Sequence, residues 1–400
     1  MLMGPLTGFS FIGSVRTYSE ISAGVGEALS PLTGVWAPTF SACELAAVFL
    51  LPFVAIRMVG GDRESGALKL ELQQSLSTAS MIAAKTLVLL LGWLIAMLPP
   101  ISAMLLWRSY GGSVYPPELM TLILGHILNA GLTIGLAAAM ASLAEHHATA
   151  AILTLSVTVG TWVISLLDWG RAAEYTPAAM VAQFQHGLIR LDVICVVVVL
   201  IVLGLGLAAI WMRLGVAVRR RIYESIALAA LVAVASFGCS LLRPSWDASE
   251  GRRNSLPEPD ERVLRQIHGL TIEVHLASED PRRVDLENRA LSKLRRAMPD
   301  VRVTYIAATS TGLFEQASAG YGEIWYELGG RRTMSRATTA EAVLESIYAV
   351  AQATPPAESE ESIFRGHPLA AQPRGAALVF YALWPCVFLA CGILIRRSLK

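Results

Sequence analysis

Three polar side chains interrupt segments of the chain that are otherwise apolar enough to cross a membrane. They are Glu44, His126 and Asn129. Polar groups at that depth are energetically expensive and often functional. Glu44 could line a substrate path or pair with His126, or it could lie near the outer interface, where water would reach it. His126 and Asn129 are three residues apart and share a helix face, which favours hydrogen bonding across a helix bundle over contact with a substrate.

A second cluster, Glu145-His146-His147, combines residue types that bind metals. Adjacent histidines in a short loop lack the HExxH helix spacing, so no metal site is predicted. A solvated turn and a contact with a partner protein both stay open for this cluster. His126 is the one histidine well inside an apolar segment, and no GxSxG motif accompanies it, so an intramembrane hydrolase is not favoured. We predict no catalytic residue in this chain and no enzyme activity of its own.

The composition indicates several membrane segments and one polar domain. Of the 400 residues, 54% are hydrophobic and 16% are charged, and the mean hydropathy is +0.53. Soluble domains carry about 25% charged residues. Of the 63 charged residues, 35 lie between residues 244 and 374, so a polar domain interrupts an otherwise apolar chain. The net charge of +1 argues against a nucleic acid or another polyanion as a partner.

The cysteines show no pattern of metal binding or disulfide pairing. All of them lie in apolar stretches, and none has CxxC or zinc-finger spacing. They are Cys43, Cys195, Cys239, Cys386 and Cys391. The polar domain has no cysteine, so no disulfide framework is available to it. We interpret all of them as small buried hydrophobic residues.

Seven segments are candidates for membrane-spanning helices, because a span needs about 20 apolar residues. They cover residues 38–59, 84–107, 119–143, 148–167, 191–213, 224–243 and 376–395. Basic residues cluster in the first loop, after the fifth span and at the C-terminus, which all fall on one side of a seven-span protein. An excess of Lys and Arg assigns that side to the cytoplasm. The C-terminus is therefore predicted to be cytoplasmic, and residues 244–374 are predicted to be extracytoplasmic.

The N-terminal segment, residues 1–37, makes a poor span. In the seven-span topology it lies outside, although no signal peptide is visible. We expect either an interfacial or extracytoplasmic element or a sequence that lacks a first helix, and we favour the second. The rest divides into a transmembrane domain over 38–223, a transmembrane helix over 224–243, the polar domain over 244–374, and a last transmembrane helix with a cytoplasmic tail over 375–400.

The polar domain has the pattern of a small α/β fold. Its first residues, 244–261, are rich in Pro, Ser and charge and predict an irregular linker. LTIEVHLA and VRVTYIA alternate like strands, and VDLENRALSKLRRAM between them has helical spacing. Alternating strands and helices predict an α/β domain. The whole chain is thus predicted to be a mainly α polytopic membrane protein of about seven transmembrane helices, with an inserted small extracytoplasmic α/β domain.

Two further features belong to the second half of the polar domain. YGEIWYELGGRRT predicts a strand followed by a Gly-Gly turn. The Arg331-Arg332 pair after that turn is either an anion site or, as we favour, a solvent-exposed hairpin tip. Thr338 and Glu341 have capping-box spacing and predict the start of a helix.

The polar stretch GGDRESGALKLELQQSLSTASMIAAK, residues 60–85, joins the first two predicted spans. Its leucines form an apolar face and its polar groups can stay in water, which predicts an amphipathic helix along the membrane surface. The cluster Asp62-Arg63-Glu64 could be a solvated cap of that helix or a contact with a partner. Lys85 is interpreted as an anchor that snorkels to the interface.

This stretch resembles the first cytoplasmic loop of ABC-2 type transporter permeases, where an acidic-Arg-Glu triplet precedes Gly, a small residue and Leu. The matching residues are Asp62, Arg63, Glu64, Gly66, Ala67, Leu68, Ser77 and Lys85. Ser75 departs from the family, which usually has Pro there. Residues 38–213 resemble five of the six family helices. GEIWYELGGRRTMSRATTAEAVLESIYAV resembles the extracytoplasmic domain of gliding-motility-associated ABC transporter auxiliary proteins.

The resemblances imply a permease fused to its auxiliary subunit, in an export system of the bacterial inner membrane. They imply ATP and Mg on a separate cytosolic ATPase, and this chain has no GxxxxGK[ST] phosphate loop, so no cofactor is predicted on it. The residues implied in coupling to that ATPase are Asp62, Arg63, Glu64, Gly66, Leu68, Glu145, His146 and His147. Membrane lipid and a second permease copy or a homologue are the other implied partners.

An alternative function is a membrane scaffold that does not transport. In that case the outer domain would bind envelope partners, and the ATPase would drive a change of shape. Stimulation of ATP hydrolysis by a transported substrate would favour the permease over the scaffold.

Overall fold

The computed structural model describes residues 2–24, 29–66, 77–165, 174–277, 280–298, 300–306, 320–356, 364 and 366–398. The described residues are mostly helical, at 71%. The helices are α1 (Met3–Gly24), α2 (Ala37–Phe49), α3 (Leu51–Ser65), α4 (Thr78–Ala96), α5 (Leu98–Ser109), α6 (Pro116–Leu143), α7 (His147–Ser165), α8 (Pro177–Gln185), α9 (Leu191–Trp211), α10 (Val218–Ser240), α11 (Glu258–Leu264), α12 (Pro281–Leu286), α13 (Ser292–Ala297), α14 (Ala340–Ala351), α15 (Ala376–Leu378) and α16 (Trp384–Ser398). The strands are β1 (Leu188–Arg190), β2 (Ser245–Asp247), β3 (Thr271–Val274), β4 (Arg302–Tyr305), β5 (Ile324–Leu328) and β6 (Arg331–Ser335).

Internal contacts divide the chain into two units. Unit 1 consists of Met1–Ala248 and Arg365–Lys400, and unit 2 is Ser249–Phe364. The predicted polar domain, residues 244–374, is therefore wider than unit 2 at both ends. In unit 1, strands β1 and β2 pair antiparallel and hold the start of α9 beside the chain that follows α10.

Six helical segments among the described residues are long and apolar enough to cross a membrane. They are Leu32–Asp62, Thr78–Ser109, Pro116–Leu143, Leu191–Trp211, Val218–Ser240 and Ala376–Ser398. The predicted span 148–167 falls on α7, whose apolar part, His147–Val163, is shorter than these segments. The structure therefore shows six candidate spans among the described residues, an architecture consistent with a polytopic membrane protein. The predicted span 148–167 runs past residue 165 into residues outside the described ranges.

Residues 3–24 form α1, a helix that the sequence analysis did not predict. The Phe11 and Tyr18 side chains of α1 are buried. The ring of Phe11 stacks on Tyr110 at 6.4 Å, and the ring of Tyr18 meets Trp107 edge-on at 5.3 Å, measured between centroids. Helix α1 thus contributes to the core of unit 1, although its composition keeps it out of the candidate spans.

Helices α6 and α9 pack closely through glycine. A Cβ atom on Gly204 of α9 would lie 2.5 Å from the carbonyl carbon and oxygen of Gly135 on α6. A Cβ atom on Gly135 would lie 3.2 Å from the backbone oxygen of Ile201. Small residues at such crossings let two backbones approach directly, which is how many membrane helices associate. This crossing fixes α9 against the centre of the bundle.

Unit 2 contains a four-stranded sheet in the order β4-β3-β5-β6. Strand β3 pairs parallel with β4 and antiparallel with β5, and β5 pairs antiparallel with β6. A helical connection, residues 281–297, joins β3 to β4, as a parallel pair requires. Ile272 and Val274 are buried while Thr271 and Glu273 are half-buried, so the predicted alternation of β3 is confirmed. The predicted strand–helix–strand order of a small α/β fold is confirmed as well.

The predicted Gly-Gly turn and the solvent-exposed hairpin tip beyond it are both confirmed. Gly329 and Gly330 have φ angles of +57° and +80° and join β5 to β6, a turn that requires positive φ at both positions. Arg332 lies on β6, where its guanidinium forms an ion pair with Glu273 and lies 4.2 Å from the centroid of the Trp325 ring. The Arg332 side chain is 47% exposed, so this pair lies at the solvent-exposed surface of the sheet.

The predicted cap of α14 is wrong by one residue. Helix α14 begins at Ala340, and the Thr339 hydroxyl accepts a hydrogen bond from the Ala342 N–H at 3.4 Å. Thr338 lies one position before the cap. The capping residue is the one immediately before the first helical residue, and spacing in the sequence locates that first residue only to within one or two positions.

Two carboxylates of unit 2 have pKa values below the usual range. Asp280 accepts hydrogen bonds from Arg282 Nη2 at 2.7 Å and from the Tyr321 hydroxyl at 2.6 Å. The Arg282 side chain first, and Tyr321 after it, hold the pKa of Asp280 well below its ordinary value. The Gly269 N–H has the largest part in lowering the pKa of Asp300.

These carboxylates predict that unit 2 loses stability in acid. A carboxylate with a depressed pKa stabilises the fold above its unfolded pKa, near 3.9, and loses that contribution as the pH falls. We expect the temperature at which unit 2 loses protease resistance, in the full chain, to fall as the pH is lowered below about 4. Asp280→Asn should flatten this dependence, and Asp285→Asn, at an exposed position, should not. Equal curves for the two variants would contradict the assignment.

Candidate functional site

One predicted partner-contact cluster, Glu145-His146-His147, lines a pocket in unit 1, and the other, Asp62-Arg63-Glu64, follows the lining residue Gly60 on α3. The pocket has a volume of about 290 Å³ and lies where the last turns of α3 meet the connection between α6 and α7. It is lined by Gly60, Ala141, Ala144, Glu145, His146, His147 and Ala150. The Glu145 and His146 side chains are exposed, and His147 is half-buried. The pocket therefore presents a carboxylate and imidazoles at the surface.

Gly60 brings α3 close to His147. A Cβ atom on Gly60 would lie 2.9 Å from His147 Nε2, closer than real Cβ contacts come. A Cβ atom on the neighbouring Gly61 would have nothing within 4 Å. Only the first glycine of the pair is thus required for the close approach of α3 to His147. The need for glycine at position 60 was not predicted from the sequence.

The end of α3 is also tied to α4. Asp62 forms an ion pair with Lys85, whose side chain is 13% exposed. Lys85 Nζ donates a hydrogen bond to the Met58 carbonyl oxygen at 3.1 Å. Lys85 was interpreted as a snorkelling anchor, and the structure corrects that interpretation. Asp62 and Lys85 instead fasten the last turn of α3 to the first half of α4.

The amphipathic surface helix predicted over residues 60–85 is wrong at both ends. Residues 60–65 continue α3, with Arg63 and Glu64 in its last turn, and Gly66 ends the helix with a φ of +77°. Left-handed glycine is the common residue at this position. Helix α4 begins at Thr78. Leu68 lies outside the described residues, as does the rest of the segment between 67 and 76.

The pocket does not have the side chains of a metal centre. Within the part of the chain that the structure describes, no group of three or more His, Cys, Asp or Glu residues is arranged to hold a metal ion. The exposed Glu145 and His146 can form ion pairs and hydrogen bonds with another protein.

Two of the predicted intramembrane polar residues, His126 and Asn129, are buried on α6. His126 on α6 is fully buried, and neither ring nitrogen has a hydrogen-bond partner among the described residues. Its ring lies 5.3 Å from the ring of Phe40 on α2, between centroids. Asn129, three residues further along α6, is 5% exposed. The hydrogen bond predicted from His126 across the bundle is therefore not found within the described residues.

Glu44 pairs with an amide and not with His126. It accepts a hydrogen bond from Gln185 Nε2 at the end of α8. Helix α8 packs tightly on α6, because a Cβ atom on Gly125 would lie 2.5 Å from the Phe184 Cβ atom. The predicted pairing of Glu44 with His126 is thus corrected. Gln185 was missed because no periodic pattern connects it with Glu44, 141 residues earlier.

A further polar network holds the start of α9. Arg190 donates two hydrogen bonds to Asp192, from Nη2 at 2.6 Å and from Nε at 3.2 Å. Its Nη1 atom lies 2.5 Å from Glu174 Oε2. The Tyr175 hydroxyl donates to Asp192 Oδ2 at 3.0 Å. The sequence analysis did not predict this network.

The pKa values agree with a permanently charged network. Burial opposes the charge on Arg190, but Asp192 and Glu174 outweigh burial and hold the pKa of Arg190 above its ordinary value. Burial first, and the Asp192 carboxylate next, raise the pKa of Tyr175 to about 12. Neither group changes its charge near neutral pH. The network is therefore suited to hold the protein together and not to transfer protons.

The chain was compared with protein-family models, with curated proteins and with solved structures. None of the three comparisons gave a match. The resemblances to ABC-2 type permeases and to gliding-motility-associated auxiliary proteins therefore stay predictions from the sequence motifs.

Proposed function

We propose that this chain is the membrane-spanning permease subunit of an ABC-2 type export system in the bacterial inner membrane. A separate cytosolic ATPase would bind ATP and Mg and supply the energy. The proposal is supported by the six candidate spans and by the motif at the end of α3. A single observation carries it: Gly60, beside the Asp62 motif, lies against His147 of the second predicted contact.

The proposed topology places this pocket in the cytoplasm. Helix α7 has 19 residues and a length of about 28 Å, enough to return the chain to the opposite face of a membrane with a core of about 30 Å. The ends of α3, α6, α9 and α16 then share one face. The basic residues on that face are Arg213, Arg219, Arg220, Arg221, Arg396 and Arg397. Such an excess of Arg is expected in the cytoplasm.

The mechanism follows from how α3 is held. Helix α3 packs against α6 and α7, and the Asp62–Lys85 ion pair joins it to α4. A push on the end of α3 is therefore passed to neighbouring spans and not absorbed by a loop. Closure of the two ATPase subunits on ATP would supply that push. Altered packing among the spans would then open a path for the exported substrate.

The two glycines of α3 provide a matched test of this contact. Gly60→Val places a side chain where His147 lies, so we expect weaker coupling between ATP hydrolysis and the permease. Gly61→Val changes the helix propensity by the same amount, but the Cβ atom of its new side chain meets no neighbouring atom within 4 Å. This variant should therefore behave like the native chain. The measurement is the rate of ATP hydrolysis by the purified assembly of permease and ATPase. Equal rates for the two variants would contradict a coupling role for this contact.

Co-purification tests the proposed partner. The tagged chain is expressed with the genes that neighbour its own and isolated in mild detergent, and a nucleotide-binding ATPase is expected with it. A second isolation uses Arg63→Ala with Glu64→Ala and retains Asp62, because Asp62 forms the ion pair with Lys85 that joins α3 to α4. Loss of the ATPase from this variant supports coupling at the end of α3. Absence of an ATPase from both isolations would overturn the proposal.

A further inference from the structure

We propose that Cys195 on α9 and Cys239 on α10 form a disulfide bond that joins the two helices near their outer ends. Cys195 lies in the second turn of α9, and Cys239 is one residue before the end of α10. Both thiols are free in the structure and partly exposed. From the sequence they were interpreted as buried hydrophobic residues, because they lie in apolar stretches and lack CxxC or zinc-finger spacing.

The two helices are antiparallel, and contacts at both ends fix their register. At one end, Trp211 Nε1 donates a hydrogen bond to Ser225 Oγ at 3.0 Å. At the other end, Arg190 pairs with Ser245 across β1 and β2. Moving a given number of residues forward along α9 therefore corresponds to moving the same number of residues backward along α10, over the whole length of the pair.

This register places the two cysteines opposite each other. Gly206 faces Leu228, since a Cβ atom on Gly206 would lie 2.7 Å from Leu228 Cδ2. Eleven residues before Gly206 is Cys195, and eleven residues after Leu228 is Cys239. Eleven residues make about three turns of an α-helix, so both cysteines lie on the faces that meet at Gly206 and Leu228. The Cys239 thiol accordingly has the Cys195 thiol as a direct polar neighbour.

The chemistry needs a disulfide donor on the outer face of the membrane. The Cys195 or Cys239 thiolate attacks the donor disulfide and forms a mixed disulfide, and the donor releases its first thiol. The second thiolate of the pair then displaces the other donor sulfur. The pair loses two protons and two electrons, and the donor is reduced to two thiols. Extracytoplasmic compartments of bacteria hold such donors, so this step rests on the proposed topology.

The bond would fix the end of the helix pair from which unit 2 departs. Strand β2 follows α10 and pairs with β1, which leads directly into α9. The Leu191 N–H also donates to the Pro244 carbonyl oxygen at 3.1 Å. A disulfide between Cys195 and Cys239 would therefore add a covalent tie beside a junction that hydrogen bonds already close.

Cleavage of the full chain between the two helices tests the proposal. A protease site is inserted after Gly215, in the connection between α9 and α10, and Cys43, Cys386 and Cys391 are replaced by Ser. Free thiols in growing cells are trapped with acid and alkylated before cleavage. We expect the two fragments to stay joined on a non-reducing gel and to separate after treatment with dithiothreitol. Cys239→Ser should give separate fragments in both conditions.

A second variant tests the facing arrangement. Cys239→Ser with Ser240→Cys moves the thiol by one position and turns it about 100° around α10, so the fragments should not be joined. Reduced membranes are also treated with copper phenanthroline. Fragments joined by copper but separate in cells would overturn the oxidation on the outer face. Fragments that stay separate in both conditions would overturn the facing geometry. Both outcomes are measured on this chain alone, so neither result bears on the proposed coupling to an ATPase.

Discussion

Gly204→Ala is expected to destabilise unit 1 strongly, although it removes no interaction. The new Cβ atom would lie 2.5 Å from backbone atoms of Gly135, which cannot turn away as a side chain can. Helices α6 and α9 would have to separate. Overpacking of this kind costs on the order of 1–3 kcal/mol. The midpoint of thermal unfolding in detergent should therefore fall well below that of the native chain.

Gly160→Ala is the matched control for this prediction. A Cβ atom on Gly160 of α7 would have nothing within 4 Å. Alanine is the better helix former by up to about 1 kcal/mol, so this variant should match or exceed the native midpoint. If both alanine variants shifted the midpoint by the same amount, the α6–α9 contact would not be the close crossing described above.

Arg190→Met is expected to have the second large effect. It leaves Asp192, whose side chain is 7% exposed, without its guanidinium partner. Breaking a fully buried pair costs roughly 3–5 kcal/mol. We expect roughly 2–4 kcal/mol here, because Glu174 is 42% exposed and solvent screens that contact. The measurement is again the thermal midpoint, together with protease sensitivity near residue 190.

Two variants separate this effect from a general loss of charge. Arg220→Met removes an arginine that is 73% exposed and pairs with Glu224 at 3.0 Å, so it should change the midpoint little. Arg190→Met combined with Asp192→Asn removes both charges of the Arg190–Asp192 pair, the more buried of the two, and should recover part of the loss. A double variant no more stable than Arg190→Met would argue against an uncompensated carboxylate as the cause.

The sequence was sufficient for features that repeat along the chain. Runs of apolar residues predicted segments that overlap all six candidate spans, and alternation predicted β3 and β4, because burial imposes the period of the local structure. Glycine pairs predicted the turn between β5 and β6, because only the local backbone decides it. Helix α1 was missed because its polar positions conceal the buried stripe of Phe11 and Tyr18.

The candidate site was predictable only in part. Both contact clusters were predicted from their residues, but the approach of Gly60 to His147 depends on the packing of α3 against α6 and α7. The partners of Glu44 and Lys85 were missed for the same reason. Gln185 lies 141 residues from Glu44 in the sequence. Asp62 was assigned to the predicted surface helix, and Lys85 was interpreted as a membrane anchor, so no pair between them was predicted. Pairs formed by tertiary packing leave no periodic signal in a single sequence.

Photo-crosslinking at the pocket is the most direct test of coupling to an ATPase. Benzoylphenylalanine replaces Glu145, an exposed residue of the connection between α6 and α7, in the chain expressed with its neighbouring genes. The control places the same group at Tyr115, which is 39% exposed and begins α6 at the opposite end of that helix. We predict a crosslink to a nucleotide-binding ATPase from position 145 and none from position 115. A crosslink from position 115 alone, or none from either position, would contradict the account.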